Sequence, residues 1–577
     1  MKYSAADGGL VLEAQDKFDA VVIGSGFGGS VAAWRLKRAH PHARILVLER
    51  GMPYPPRSFA RTPHELRQSF WDPASALYGL YELWSFEHAK VLVASGLGGG
   101  SLIYANVMLE KPAHTFEADW AGGTPWPIKR PQLAAHYEEA KRMLGATPLP
   151  TRYRTAGPEG STSVPKTDQF IQAATAAGLR AAQPAELAIS FAGPAGDAQP
   201  GAPLGADNLH HRERRTCTLV GECDLGCNEG AKNSLDYTYL SAFHSDGGEI
   251  RTCCEAVDIA SSDDGYEVRY LQHLAARANV EARARADGKQ SEDRRLLDPS
   301  DAPVRHVRAT VVVVAAGTLG STRLLLSSRA VLPPLSPRLG AGFSSNGDLL
   351  TVARDCTDPG DELPRNLAPS RGPVITAYAE GNELWVEDAG GPAWSEWAWQ
   401  VPETPRDLWA MRRDLVRIAC GKVHGRIGAY LARALGTTRS SSAMLPMLTM
   451  GRDNAGGRFR LEHDALALDW DPEDSRGYFD DAEQATAGVA TALGGRLGPG
   501  GLLEHNRGLT VHPLGGCPMG ASAGEGVVGP DGEVFGCTGL FVADGSVMPS
   551  PVGPNPSLTI AAIAGHIANA AADRVRM

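Results

Sequence analysis

No run in the 577-residue sequence approaches the roughly 20 apolar residues of a membrane-spanning helix, so no such span is expected. A basic surplus is missing too. Against 56 Lys and Arg stand 66 Asp and Glu, a formal net charge of −10, and a nucleic-acid partner needs a concentrated basic face. The opening MKYSAADGGLVLEAQDKF has no apolar core of the kind a secretory signal carries. There is no internal repeat and no heptad pattern. The 9 cysteines are odd in number and irregularly spaced, which argues against a disulfide scaffold. These absences predict a soluble protein of a reducing compartment, the cytoplasm. What remains is ordinary globular composition, 43% hydrophobic and 21% charged, in a chain long enough for two substantial domains or one composite fold.

The N-terminal segment carries a nucleotide signature. Residues 18–23, FDAVVI, read as a short buried parallel strand. Gly24-Ser25-Gly26-Phe27-Gly28-Gly29 follows at once, and Ser30 to Lys37 has helical character. Strand, G-x-G-x-x-G and helix is the arrangement that brings a pyrophosphate against backbone N–H groups at a helix N-terminus. The next strand, Arg44 to Leu48, ends at Glu49, a carboxylate placed to accept from both ribose hydroxyls of an adenosine. That fingerprint alone does not separate FAD from NAD. A second glycine run, Gly96-Leu97-Gly98-Gly99-Gly100-Ser101, spends more backbone entropy than packing requires, and points to close approach by a bulky ligand such as a flavin. A third unit, VVVVAA at 311–316 followed by Gly317-Thr318-Leu319-Gly320-Ser321, predicts another central strand closing into a helix. The nucleotide domain is therefore interrupted by long insertions.

Near the C-terminus, His512-Pro513-Leu514-Gly515-Gly516-Cys517 and Pro554-Asn555-Pro556 supply a base that titrates near neutrality and an uncharged amide donor. Removing hydride from an alcohol carbon to a cofactor also requires removing the hydroxyl proton. His512 suits that step, and Asn555 suits the steadying of charge on the oxygen. A further cluster, Cys217, Cys223 and Cys227, has the spacing C-x5-C-x3-C. It is the bacterial ferredoxin run with its second cysteine replaced by Val220, which favours three irons over four. Two other readings stay open: three small buried residues packing as weak hydrophobes, or a zinc site completed by His210 or His211.

GSGFGG at 24–29, GLGGGSLIYANV at 96–107, GAKNSLDYTYL at 230–240, VVVVAAGTLGSTRLLL at 311–326, HPLGGC at 512–517 and GLFVADGSVMPSPVGPNPSLTIAAIAGHIA at 539–568 together resemble the glucose–methanol–choline (GMC) oxidoreductases, within them the bacterial cholesterol oxidase branch. The cysteine spacing is similar to that of FAD-dependent glucose and fructose dehydrogenase catalytic subunits. The resemblance implies an α/β fold: a Rossmann-like FAD-binding domain (1–115, 205–350 and 505–577) interleaved with an α+β substrate domain on a mixed or antiparallel sheet (116–204 and 351–504). It implies non-covalent FAD, since no anchoring histidine stands beside the glycine run. The ADP half falls to Gly24, Gly26, Phe27, Gly28, Gly29 and Glu49, with Val257 against the adenine. Gly96, Gly100, Ser101 and Asn106 fall along the flavin, Asp544 and Gly545 along the ribityl and pyrophosphate, and Asn555 and Pro556 by the pyrimidine edge. Tyr104 stands where the family often has Asn. His512 and Asn555 become the catalytic pair, and Cys217, Cys223 and Cys227 the ligands of a [3Fe–4S] cluster.

The expected function is oxidation of an alcohol, secondary and apolar ring-bearing, with electrons passed to a protein or quinone acceptor. An O2-using oxidase without a cluster and a non-redox lyase are the alternatives. In the substrate region, Pro373 to Glu380 and Glu383 to Glu387 read as strands. Trp385, Trp394, Trp397, Trp399 and Trp409 are candidates for an aromatic wall or for ordinary core. Residues 406–437 read as a basic helix, 272–304 as a charged surface excursion and 190–208 as a loop.

Overall fold

The computed structural model describes residues 16–575 except 76, 118–124, 155–162, 194–195, 197, 274–302, 359, 361–362, 395–411, 414–415, 418–419, 421–440 and 499–507. The apolar, β-branched run at the N-terminus forms the strand Asp16–Ile23, whose last residues are fully buried. Burial on both faces is what a central parallel strand requires. It pairs in parallel with Ile45–Leu48 on one side and Val304–Val314 on the other. The sheet runs Glu249–Arg251, Ile45–Leu48, Asp16–Ile23, Val304–Val314, Gly265–Gln272, Cys254–Ser262. Val304–Val314 is forked. Its first half pairs antiparallel with Gly265–Gln272, and Val312 to Val314 pair in parallel with Leu540–Val542. The helices Phe27–Ala39 and Arg130–Leu144 both pack against Ser557–Arg574.

A second sheet of six strands is antiparallel throughout: Arg496–Gly498, Leu349–Arg354, Leu445–Gly451, Leu384–Asp388, Ala377–Glu380, Arg180–Pro184. Strand alternation divides its faces. Leu349, Val386 and Met447 enter a core shared with the helices Lys166–Ala176 and Arg476–Ala492. Leu350, Glu387 and Leu448, paired across neighbouring strands, lie on the opposite face.

Two strands begin later than their sequences predict, each for a local reason. The Asp388 carboxylate accepts the N–H groups of Thr376 and Ala377 at 2.7 Å each, so the strand starts at Ala377 and Val374 and Ile375 turn out of the sheet. Glu383 adopts φ 58°, which extended backbone excludes, and its strand starts at Leu384. Around 190–208 the described chain is a loop apart from Pro203–Gly205, paired with Arg214–Arg215. The expected excursion at 272–304 and basic helix at 406–437 lie almost wholly outside the described residues, as do Trp397, Trp399 and Trp409. Among the described residues, no helix is long and apolar enough to cross a membrane.

Three strand ends meet at the N-terminal glycine turn. A Cβ on Gly24, whose φ is +98°, would stand 2.3 Å from Ala315 O, and one on Gly28 would stand 1.6 Å from Ala543 O. A Cβ on Gly26 would meet nothing within 4 Å. Gly28→Ala is therefore expected to destabilise the fold by about 3 kcal/mol or more, whereas Gly26→Ala changes stability by less than about 1 kcal/mol. Chemical denaturation of the two variants checks the contrast.

Candidate active site

One continuous cavity of ≈ 720 Å³ runs from the Gly24–Gly28 turn to His512 and Asn555, the size of a cofactor site. At the first end, Gly26 caps the helix Phe27–Ala39, leaving its first N–H groups toward the open space. Glu49 sits at the end of Ile45–Leu48, buried and partly committed. It accepts from Ser25 N at 3.1 Å, Ser25 Oγ at 2.6 Å and Gly51 N at 2.8 Å, and burial pushes its carboxyl up. Val257 lines the same end. Asp544, Gly545 and Pro556 also lie on the wall. Asp544 accepts from Gly317 N at 2.9 Å, Ser546 N at 2.8 Å and Ser546 Oγ at 2.6 Å, and from Ser321 Oγ, which ties the helix Gly317–Ser327 to the strand Leu540–Val542.

The residues present fit a flavin dinucleotide. Gly100, like Gly26, has nothing within 4 Å of a built Cβ, so neither glycine is demanded by neighbouring protein atoms; both keep the cavity open. Asn106 lines it with φ 71°, a conformation Asn tolerates. Its amide is fully buried with both Oδ1 and Nδ2 unpaired. A buried donor and acceptor side by side without partners call for a ligand that offers both. Three sequence-predicted contacts stand behind the wall instead. Gly29 packs on Gly24 O, and Gly96 packs on Leu102 and Tyr54. Ser101 Oγ donates to Gly98 O at 2.8 Å and accepts from Leu235 N at 3.0 Å. These three shape the turns that carry Gly26 and Gly100.

At the other end, His512 Nδ1 lies 2.8 Å from Asp348 Oδ1. A carboxylate accepts only, so in the tautomer this pair selects Nδ1 carries the hydrogen and Nε2 the lone pair. Nε2 bonds no protein group among the described residues, and His512 lines the cavity. Asp348 is fixed in turn: its Oδ2 accepts from Thr510 Oγ1 at 2.8 Å, Val511 N at 2.9 Å and His512 N at 3.2 Å. Asn555 Nδ2 donates to Glu387 Oε2 at 3.3 Å, leaving its second N–H for the cavity, while Asn555 Oδ1 and Glu387 Oε1 are buried without partners. Burial, with Asp388 and Asp348 nearby, pushes Glu387 well above the usual carboxylate range. Neither Asp348 nor Glu387 belongs to a sequence motif. The available signal for Glu387 was an acid inside the otherwise apolar strand LWVED; Asp348 in NGDLL offered none.

Leu350, Val374, Ile375, Leu448 and Val511 make the wall around this end largely aliphatic. The expected aromatic wall is not found among the described residues: Trp385 is buried against Gly553 and stands off the cavity. Trp84, from the strand Tyr81–Ser85, lines it instead.

Cys217, Cys223 and Cys227 share one apolar cluster. Cys217 Sγ accepts from Leu219 N at 3.4 Å and Cys227 Sγ from Ala231 N at 3.3 Å. Asp224 and Leu225, between the second and third cysteines, line the large cavity. No group of three or more His, Cys, Asp or Glu among the described residues is arranged around a single metal ion. His210 is engaged by Asp236 at 2.6 Å, so the zinc arrangement has no support. The loop is held by Lys232, whose buried Nζ donates to Tyr104 O and Cys223 O at 2.7 Å each and to Leu102 O at 3.0 Å.

Comparison with known proteins agrees with this geometry. Residues 473–564 match the GMC oxidoreductase C-terminal model, and residues 22–52 match an NAD(P)-binding Rossmann-like domain. The chain is 29% identical to a cholesterol oxidase of Mycobacterium tuberculosis over 96% of its own length and 90% of the relative's. It is 27% identical to a cholesterol oxidase of Acinetobacter baumannii over 95% and 93%. A solved fungal aryl-alcohol oxidase superposes with a TM-score of 0.55 at 14% identity, covering 97% of this chain and 99% of that one, a likeness of fold. With its interrupted Rossmann sheet, roofing antiparallel sheet and C-terminal His and Asn on one cavity, the chain is similar to the GMC oxidoreductases.

Proposed function

We propose that the protein is an FAD-dependent dehydrogenase of a secondary, apolar ring-bearing alcohol, sterol-like in character, and that its electrons leave through a [3Fe–4S] cluster to an external acceptor. The observation that carries the alcohol chemistry is the His512–Asp348 pair, which leaves Nε2 of His512 as a free base on the cavity. Converting the alcohol to a ketone removes two electrons and two protons' worth of hydrogen, one as hydride from carbon and one as the hydroxyl proton. FAD, when bound, accepts the hydride. His512 Nε2 takes the hydroxyl proton, and Asp348 holds the ring and stabilises the imidazolium that results. The free N–H of Asn555 steadies the charge developing on the substrate oxygen. Glu387 holds Asn555, and its burial disfavours a negative charge beside that oxygen. The aliphatic wall suits a hydrocarbon ring better than a polyol.

Cys217, Cys223 and Cys227 would hold such a cluster, which would supply one-electron transfer toward a haem protein or quinone. Cavity-lining Asp224 and Leu225, one and two residues from Cys223, support this reading. A second reading, an O2-using oxidase without a cluster, is favoured by the relatives' names, since both similar proteins are oxidases.

His512→Gln is expected to lower kcat by about 10³-fold or more. Asp348→Asn lowers it by on the order of 10²-fold or more with KM changed less than about threefold. A KM effect alone would remove Asp348 from the proposed role. Anaerobic addition of a 3β-hydroxysterol is expected to bleach the flavin; a flavin left yellow by a panel of secondary alcohols would point away from redox chemistry. Anaerobically purified protein should contain about three irons per flavin and reduce an artificial dye faster than it forms peroxide. Less than about 0.3 iron per flavin, with peroxide matching turnover, would establish the oxidase reading instead.

A further inference from the structure

The turn that carries Asp348 also carries Asn346, and the two side chains reach different segments. Residues 344–348 join the strand Ala341–Phe343 to the strand Leu349–Arg354. Asn346 and Gly347 both adopt left-handed backbone, φ 56° and 67°. Asparagine tolerates that region where most side chains do not. Asp453 fixes the turn from a neighbouring segment: its carboxylate accepts from Ser345 N at 2.7 Å, from Ser345 Oγ at 2.8 Å and from Ser344 Oγ. Within the turn, Ser344 Oγ accepts the N–H of Asn346 at 2.9 Å.

Asn346 is fully buried, and its amide is fully engaged. Oδ1 accepts from Val552 N at 2.9 Å and Gly553 N at 3.1 Å, while Nδ2 donates to Gly553 O at 3.1 Å and Pro554 O at 3.3 Å. Two acceptor and two donor positions are all that an asparagine amide has, and all are spent on the residues that lead into Asn555. The same strap is held by Lys111, whose Nζ donates to Pro551 O at 2.9 Å and Val552 O at 3.4 Å. Trp385 closes over Gly553, whose φ is +97°. Two residues after Asn346, Asp348 engages His512 Nδ1. A single short turn therefore holds the base through one side chain and the segment bearing the amide through another.

We propose that Asn346 is a positioning residue for the alcohol oxidation: it sets where the Asn555 amide stands relative to His512 Nε2, so that donor and base address one hydroxyl. The inference rests on the reading of His512 and Asn555 as proton acceptor and amide donor, and it adds the residue that keeps the two in register. Asn346 does not line the cavity, so its effect passes through Asn555. A displacement of about 1 Å at a reacting group is enough to cost on the order of 10²-fold in rate. Hydrogen bonds to backbone groups on both edges of the strap leave it little room to shift, and no apolar side chain of the same size would hold it so.

The test uses the full chain with FAD bound and two substitutions. Asn346→Gly keeps the left-handed backbone and removes the amide; Asn346→Asp keeps the acceptor but sets its second oxygen against Gly553 O and Pro554 O. Each is made in the wild type and in the Asn555→Ala background. FAD per chain and the anaerobic rate of flavin bleaching are measured, with the alcohol that bleaches the wild type fastest in a panel of 3β-hydroxysterols and smaller cyclic secondary alcohols. The expected result is unchanged FAD and bleaching slowed about 10- to 100-fold in each single variant, with the half-saturating alcohol concentration changed less than about threefold. In the Asn555→Ala background the same substitutions slow bleaching by less than about a further twofold, because the group they position is gone. Equal slowing in both backgrounds, or an unchanged rate, overturns the positioning role. Loss of FAD from both variants overturns it too, and makes Asn346 a residue of the fold alone. Wild-type bleaching by Asn555→Ala itself, or a wild-type flavin that no alcohol of the panel bleaches, overturns instead the reading of the catalytic pair.

Discussion

The carbonyl oxygen of Ala543 occupies the place a side chain on residue 28 would need, 1.6 Å from its built Cβ. Everything else at the cofactor end follows from that contact. It brings the first helix of the chain against the last strand of the Rossmann sheet, and Gly24 makes the same kind of approach to Ala315. Segments some 200 to 500 residues apart therefore share one joint, and Asp544 secures it by accepting from both the helix at 317 and the turn at 546. A turn so confined has little freedom in where its N–H groups point. The fixed direction of that turn is what makes the glycines a binding element, because a pyrophosphate gains from N–H groups only if they converge.

Three acids near the catalytic end are treated in three ways, and each treatment suits a separate task. Asp388 is fully buried but paired with Lys166, 3.4 Å away with both side chains inaccessible; its Oδ1 accepts two backbone N–H groups and its Oδ2 the Thr376 hydroxyl, so it is structural. Glu387, the adjacent residue, faces the opposite side of the strand, and burial pushes its carboxyl well above the usual range. Asp348 is held by three donors and spends its other oxygen on His512. Environments that differ this much between neighbouring carboxyls set their charge preferences apart. The burial of that strand therefore bears on the cavity as well as on the core.

Legibility in the sequence followed the range of the interaction. The strand at 18–23, the glycine turn and the helix after it are set by local geometry, and the chain shows them plainly: FDAVVI has one reading, and Gly24 needs its positive φ wherever it sits. His512 and Asn555 were visible because Pro and Gly around them fix a short loop. Asp348 and Glu387 were not, because their roles exist only across 164 and 168 residues of separation from His512 and Asn555. The place of Trp385 was hidden for the same reason. Alternation along a strand indicates which residues share a face, but not that Gly553 lies over Trp385 and shuts it off from the cavity. Gly29, Gly96 and Ser101 show a finer version of the limit: a motif marks a turn, while the wall includes only the atoms that turn presents.

The cysteine loop brings these threads together. As ordinary packing it would be a poor design, with thiols and a buried lysine where leucine and phenylalanine would pack at lower free energy. Lys232 ties Leu102 and Tyr104, beside the glycine run that borders the cavity, to Cys223 with a single ammonium. The wall of the cofactor cavity and the thiol-bearing turn therefore move as one piece. Lys232 thereby fixes the thiol-bearing turn against the glycine run, so its burial serves the shape of the cavity as well as the loop.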